Sequence, residues 1–205
     1  PSDDTVTAAK LNDNVISGQT ELAATPADTD ELLISDAGTI KRIDFSHLKT
    51  GITEADVWRL NSAVSTSNTR TVISTNLERA DDTMATYIGS GMSQSSGVFT
   101  FPSTGKYLVE ATLQYYADGD RRYVVSIIEA TTDNSNYERV AFARSFIEHS
   151  YGTTYSQTTA FALIDVTDTS NVKVRFLSQS EADANLNSNT DENVTAFKFI
   201  RLGDT

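Results

Sequence analysis

The residues able to do chemistry in this chain are few, and their spacing argues against catalysis. Serine is plentiful, but a nucleophilic serine needs a base beside it and a sharp strand-to-helix turn to expose it. No Gly-x-Ser-x-Gly elbow occurs, and Gly89-Ser90-Gly91 lacks the spacing. The two histidines, His47 and His149, stand far apart in sequence. His149 sits in the loop-like stretch Glu148-His149-Ser150-Tyr151-Gly152, where it reads as a surface or interface residue rather than a general base. With no cysteine there is neither a disulfide nor a thiolate metal site. The oxygen-rich loop Glu181-Ala182-Asp183-Ala184-Asn185, with Asp191-Glu192-Asn193 after it, is the one candidate for Ca²⁺, a cation that takes carboxylate and carbonyl oxygens. Its weak candidate ligands are Glu181, Asp183, Asp191 and Glu192; the loop lacks the fixed ligand order of a helix-loop-helix site, and a solvated loop is the preferred reading. Paired carboxylates for glycoside cleavage are a matter of three-dimensional separation. Depolymerases, however, are usually built on long β-helices, and no such repeat is present. The chain is therefore read as a non-enzyme without catalytic or cofactor-binding residues.

Composition narrows the class further. A length of 205 residues accommodates one substantial domain plus an attachment segment. No apolar run approaches the roughly 18 residues of a membrane-spanning helix, so no membrane insertion is expected. The net charge of −12 argues against nucleic acid, which is bound by clustered Lys and Arg. Acid is spread over both parts: residues 1–52 hold nine Asp/Glu against four Lys/Arg, and residues 53–205 hold nineteen against twelve. Solubility and mutual repulsion account for it. The chain starts at Pro1 without a basic, apolar signal sequence. Since a Met-Pro start commonly loses its methionine, Pro1 suits either a whole gene product made in the cytosol or a trimmed one.

The elements that would position any site are strands. Residues 1–52 read as an attachment segment. Asp3–Leu11 has the makings of a short helix capped by Asp4 or Thr5, and residues 17–30 are small, polar and turn-rich. Two short apolar runs then flank Asp36-Ala37-Gly38, a hairpin signal over residues 31–44 with Gly38 at positive φ. An isolated hairpin is marginal in water, so this one calls for a partner surface such as another copy of itself. Thr53-Glu54-Ala55-Asp56 has capping-box spacing, which predicts a brief turn of helix before a strand through Val57-Trp58-Arg59-Leu60. Strands follow at Arg70–Ser74, Ala85–Ile88, Gly97–Phe101, Tyr107–Tyr116, Arg122–Glu129, Val140–Glu148, Thr154–Val166, Val172–Leu177 and Val194–Leu202. Such a rhythm over residues 53–205, with almost no helical periodicity, predicts an all-β sandwich or barrel. Phe197 and Phe199 share one face of the last strand while Ala196 and Ile200 take the other. Thr159, Phe161 and Leu163 likewise stand opposite Ala160, Ala162 and Ile164. Apolar groups on both faces predict strands covered twice, once by their own core and once by a partner chain.

Gly97, Phe99, Pro102, Gly105 and Tyr107, with the closing Phe197-Lys198-Phe199, resemble the jelly-roll signature of the complement globular head and tumour necrosis factor. The resemblance spans about residues 57–203 and implies a homotrimeric jelly-roll β-sandwich knob that binds and does not catalyse. Two longer stretches, DELLISDAGTIKRIDFSHLKTGITEADVWRL and NLERADDTMATYIGSGMSQSSGVFTFPSTGKY, resemble segments of tail-fibre and other virion-surface proteins of tailed bacteriophages. That likeness implies a virion structural protein, made in the bacterial host cytoplasm and exposed on the particle. No collagen-like repeat precedes the knob and no heptad pattern runs through residues 1–52.

The expectation is a fibre or knob whose N-terminal segment docks to other virion proteins and whose jelly roll adheres to a host surface glycan or protein. A capsid decoration or head-fibre protein of purely structural role is the alternative. Trp58, Phe161, Leu163, Phe197, Phe199 and Ile200 are the expected core and trimer-interface residues. Asn134, Tyr137, Tyr151 and Tyr155, in two polar segments that hold aromatics, are the expected recognition residues, and Tyr115, Tyr116 and Tyr123 join the pool of tyrosines that are either surface or core.

Overall fold

The structure, a computed structural model, describes residues 18, 20–48, 51–82, 84–148 and 152–205. It divides into two compact units, Pro1–Gly51 and Ile52–Thr205. The expected helix over Asp3–Leu11 lies outside the described residues.

In the first unit β1 (Glu31–Asp36) pairs antiparallel with β2 (Thr39–Asp44), in register from Glu31↔Asp44 to Asp36↔Thr39. Both turn residues, Ala37 (φ 49°) and Gly38 (φ 85°), are left-handed, as a two-residue type I′ turn requires. Ion pairs Lys41–Asp36 and Arg42–Glu31 brace the ladder. A single 3-10 turn, Phe45–His47, follows, and the Phe45 N–H donates to the Asp30 carbonyl at 2.7 Å. Leu33 and Ile40 stay exposed.

The second unit is a two-sheet sandwich. One sheet has β9 (Gly105–Asp118) at its centre, paired along its whole length with β12 (Thr153–Val166). On its other side β9 pairs with β15 (Ala196–Gly203), which pairs with β3 (Ala55–Leu60) and then β6 (Leu77–Arg79). β14 (Ala184–Leu186) and β4 (Val64–Thr66) complete it. The facing sheet runs β11 (Glu138–Ile147), β10 (Arg121–Thr131), β13 (Lys173–Ser180), β8 (Val98–Thr100) and β7 (Ser93–Ser95), with β5 (Thr71–Val72) beside β13. This arrangement is a jelly roll of the tumour necrosis factor type, as the signature residues imply.

Alternation explains the core. Tyr107, Val109, Ala111, Leu113 and Tyr115 of β9 are all buried, while the residues between them are partly exposed. Phe99, Phe176, Phe197 and Phe199 meet at the centre, with Phe176 stacked on Phe197 at 4.3 Å and Trp58 edge-on to Phe99 at 5.6 Å. The Pro102–Gly105 corner brings Phe101 within 4.7 Å of Tyr107, whose hydroxyl donates to the Ser103 carbonyl at 3.1 Å.

Three expectations are corrected. The capping-box residues form no helix; the Glu54 carboxylate instead accepts from the Ser90 and Gly91 N–H groups. Ala85–Ile88 is no strand. It belongs to the 80–92 segment, which touches the sheet edge through one bridge, Ala55↔Ile88, and buried ionic anchors: Asp56 accepts from Met92 N–H (2.7 Å), Trp58 Nε1 (2.9 Å) and Arg79 Nε. Arg70–Ser74 shrinks to the two residues of β5, with buried Ile73 adding one further hydrogen bond to the Phe176 carbonyl in the same register.

The register also gives the sandwich two distinct ends. Ala55, Gly105, Val166 and Gly203 lie at one end, where the chain enters the unit. Asp118, Arg121, Ile147, Thr153 and Ser180 lie at the other. At the roughly 3.3 Å rise per strand residue, fourteen-residue β12 separates them by about 40 Å.

Candidate functional site

The first candidate surface is the outer face of the seven-stranded sheet. Because side chains alternate, burying Thr158, Ala160 and Ile164 of β12 turns Tyr155, Gln157, Thr159, Phe161, Leu163 and Asp165 outward. Phe161 is 67% exposed, Leu163 69% and Leu202 58%: large apolar groups in water across neighbouring strands. Leu163 stands opposite Leu108, which stands opposite Ile200, an apolar row across β12, β9 and β15. A hollow of about 420 Å³, lined by Lys106, Leu163, Ile164, Asp165, Leu202 and Gly203, opens at the lower end of this face. Higher up the face turns polar. Lys198 donates to Glu110 at 2.8 Å, Thr112 and Thr159 share a hydrogen bond at 3.2 Å, and Asn187 donates to Gln114 at 2.6 Å. Tyr116 and Tyr155 meet at 5.8 Å at the far end.

The residues expected at a trimer interface are thus divided by the structure. Phe161, Leu163 and Ile200 lie on this outer face. Phe197 and Phe199 are fully buried in the chain's own core, and Trp58 packs against it with its Nε1–H given to Asp56. The opposite-face pattern was legible in the sequence; which face belonged to the core was not, because both carry apolar groups.

The expected recognition residues do not form one surface. Asn134 and Tyr137 sit in the β10–β11 loop, whose Asn134 N–H donates to the Asn171 carbonyl at 3.0 Å, at the end where the chain enters. Tyr155 is 56% exposed at the opposite end, and Tyr151 lies outside the described residues, as does His149. Tyr115 is buried and donates to the Val125 carbonyl at 2.7 Å; burial raises its phenol pKa. His47 is exposed in the 3-10 turn of the first unit.

The β10–β11 loop is itself well built. The Asp133 carboxylate accepts from Asn136 Nδ2 (2.7 Å), the Asn136 and Ser135 N–H groups and the Thr131 hydroxyl. These donors, the Asn136 side chain foremost, hold it well below the usual carboxylate range. Arg175 lies 3.9 Å over the Tyr137 ring and pairs with Glu129 at 2.7 Å. A groove of about 440 Å³ runs beside this loop between Thr132, Asn136, Glu138, Val140, Leu163 and Asp165.

The four carboxylates considered for calcium do not converge. Glu181 accepts from the Arg122 N–H at 2.7 Å and from its Nε, which hold it below its ordinary pKa. Asn189 donates its side-chain N–H to Glu192 at 3.3 Å, and Asp191's N–H goes to Asn189. Among the described residues no group of three or more His, Asp or Glu is placed to hold a metal ion. No described helix is long and apolar enough to cross a membrane.

No protein-family profile and no curated protein sequence matches the chain. Solved structures do. The chain is similar to the Eiger tumour necrosis factor of S. frugiperda, with a TM-score of 0.58 at 14% identity over 76% of this chain and 96% of that one. It is also similar to murine APRIL, with a TM-score of 0.54 at 11% identity over 73% of this chain and 98% of that one. At such identities the likeness is one of fold.

Proposed function

We propose that the chain is a surface protein of a tailed-bacteriophage virion: a non-catalytic, homotrimeric jelly-roll knob, carried on an N-terminal attachment segment, that adheres to the host surface. The outer face of the seven-stranded sheet carries the trimer. Phe161, Leu163 and Leu202 gather exposed apolar surface on this face, as an interaction site does. The free edges of β11 and β12 are covered by each other, Ser145 and Ser156 sharing a hydrogen bond at 2.7 Å, so the ground for assembly is the apolar face, which a closed ring of copies covers. The likeness of residues 30–60 and 76–107 to phage fibre segments supports the virion setting, and exposed Tyr155, which lies in β12 rather than in a loop, with Tyr137 of the β10–β11 loop, supports adhesion. Three linked knobs multiply weak contacts into avidity.

The solution mass tests the assembly first: the proposal expects three times 22.3 kDa, and a monomer at micromolar concentration overturns it. Labelling the chain on intact particles tests the virion setting and separates a tail tip from a capsid site. Saturable binding to host cells supports adhesion; its absence, with the chain found on the capsid, favours a decoration role. Turnover of host polysaccharide by the purified chain would overturn the non-catalytic reading.

A further inference from the structure

The outer face of the six-stranded sheet carries a second apolar cluster, separate from the core. Val125, Ile127 and Leu177 are buried there with Val72 and Tyr123 packed against them. Phe142, Ile127, Leu177 and Val72 stand in one row across β11, β10, β13 and β5. Near the Tyr123 end the loop holding Asn68 reaches over this face, its carbonyl accepting from Gln179 Nε2 at 2.9 Å, while arginine and aromatic side chains lie over the β11 side. Arg144 lies 5.5 Å over the Tyr123 ring, and Arg139 lies 4.9 Å over Phe142. Phe142 and Phe146, four residues apart on one face of β11, are 52% and 60% exposed.

Arg42, Arg59, Arg79, Arg122, Arg175 and Arg201 each pair with a carboxylate. Arg139 and Arg144, both exposed, have no ion-pair partner among the described residues, nor have Arg70 and Arg121, but Arg139 and Arg144 rest on rings. A guanidinium held over a ring spends no hydrogen bond on a carboxylate there and keeps the fork geometry that takes one bidentately. Exposed phenyl rings beside it offer flat apolar platforms. Arginine forks alternating with rings along a flat strand suit a repeating polymer that presents a carboxylate on one side and C–H faces on another.

Resting on the adhesion reading, we infer that the β11 strip Arg139–Phe142–Arg144–Phe146 binds an acidic polysaccharide, its arginines taking uronate carboxylates and its phenyl rings stacking on the sugars. The strip lies on the sheet opposite to the face assigned to subunit contacts, so both surfaces serve at once. An acidic peptide is the competing anion; a hollow of about 360 Å³ meets the strip at Phe146, whereas the exposed rings run along it and favour sugars, and poly-glutamate in the test separates the two.

The test uses the full chain with oligouronate, neutral oligoglucan and poly-glutamate as probes. The expected result is saturable, salt-sensitive binding of oligouronate alone. Arg139→Gln with Arg144→Gln, and separately Phe142→Ala with Phe146→Ala, weaken it about tenfold or more, whereas the exposed Arg70→Gln leaves it unchanged. Three results overturn the inference: no oligouronate binding, equal binding of poly-glutamate, or a changed solution mass in either double variant, which would make the strip a contact between copies. Host-cell binding separates the two readings. Cells held equally by wild type and the double glutamine variant sink the strip and leave adhesion standing. Uronate binding with the stated losses but no cell binding sinks adhesion alone.

Discussion

Asp56 and Arg59, three residues apart on β3, show how charge is used inside this sandwich. Asp56 is 2% exposed and collects donors from Trp58, Arg79 and Met92; Arg59 is 1% exposed and lies between Glu78 and Asp82, with its Nη1 2.6 Å from Asp82. Removing Asp56 leaves the Trp58, Arg79 and Met92 donors without their acceptor. Asp56→Ala is expected to cost about 3 kcal/mol or more, read as a lower urea midpoint with little change in slope. Asp133 supplies a pH test at the same scale. Its folded carboxyl is more acidic than an unfolded aspartate at about 3.9. The stability it lends is therefore fully present above that value and is lost as pH falls through the lower folded one. Hydrogen-exchange protection of the Ser135 and Asn136 amides is expected to persist through pH 5 and to vanish in Asp133→Ala at every pH. Neither group was singled out from sequence, because an aspartate in a strand or loop reads as solvated until its donors are known.

At the scale of elements, glycine separates conformation from crowding. Gly38 and Gly97 both hold φ near +80°, but a Cβ on Gly38 would meet nothing within 4 Å, whereas one on Gly97 would lie 2.3 Å from the Ile73 carbonyl oxygen. Gly38→Ala is expected to cost about 1 kcal/mol from backbone strain alone. Gly97→Ala adds a collision with backbone that cannot swing aside, so a clearly larger fall in thermal midpoint is expected. Equal falls would refute the distinction. Elements covered on one side were legible in the sequence: β9 announces itself through Tyr107 to Tyr115, and the Ala37–Gly38 turn announces β1 and β2. The three-residue strands β4, β6, β7 and β14 were not, since so short a run is a strand only by virtue of the neighbour that pairs with it. Ala85–Ile88 misled for the mirror reason. Its residues suit a strand, yet the ionic anchors at Glu54 and Asp56 hold the surrounding segment in another course.

For the whole molecule, the proposed assembly makes one demand on the outer face of the seven-stranded sheet. Phe161→Asp with Leu163→Asp is expected to leave the sandwich folded, because neither side chain enters the core, and to reduce the trimer to monomers by sedimentation. Phe199→Ala is expected to do the reverse: it opens a void beside Phe99, Phe101 and Phe176 and costs about 3–5 kcal/mol of fold stability. A double aspartate variant that stays trimeric would remove the ground for assembly through this face.

Strand periodicity and turn residues settled an all-β sandwich or barrel from sequence alone, because alternation and positive φ are local properties of the chain; the jelly roll was implied only by the resemblance that Gly97, Phe99, Pro102, Gly105 and Tyr107 carry. The absence of cysteine and of any nucleophile elbow is equally local. Which face of a doubly apolar strand turns inward, which loops share an end and which arginines lack a carboxylate depended on pairings between distant residues. Those pairings put Asn134 and Tyr155 some 40 Å apart and set Arg139 and Arg144 on a common face. Only the packed sheets decide such matters, since register across strands is fixed by the sum of many weak contacts that no single segment carries.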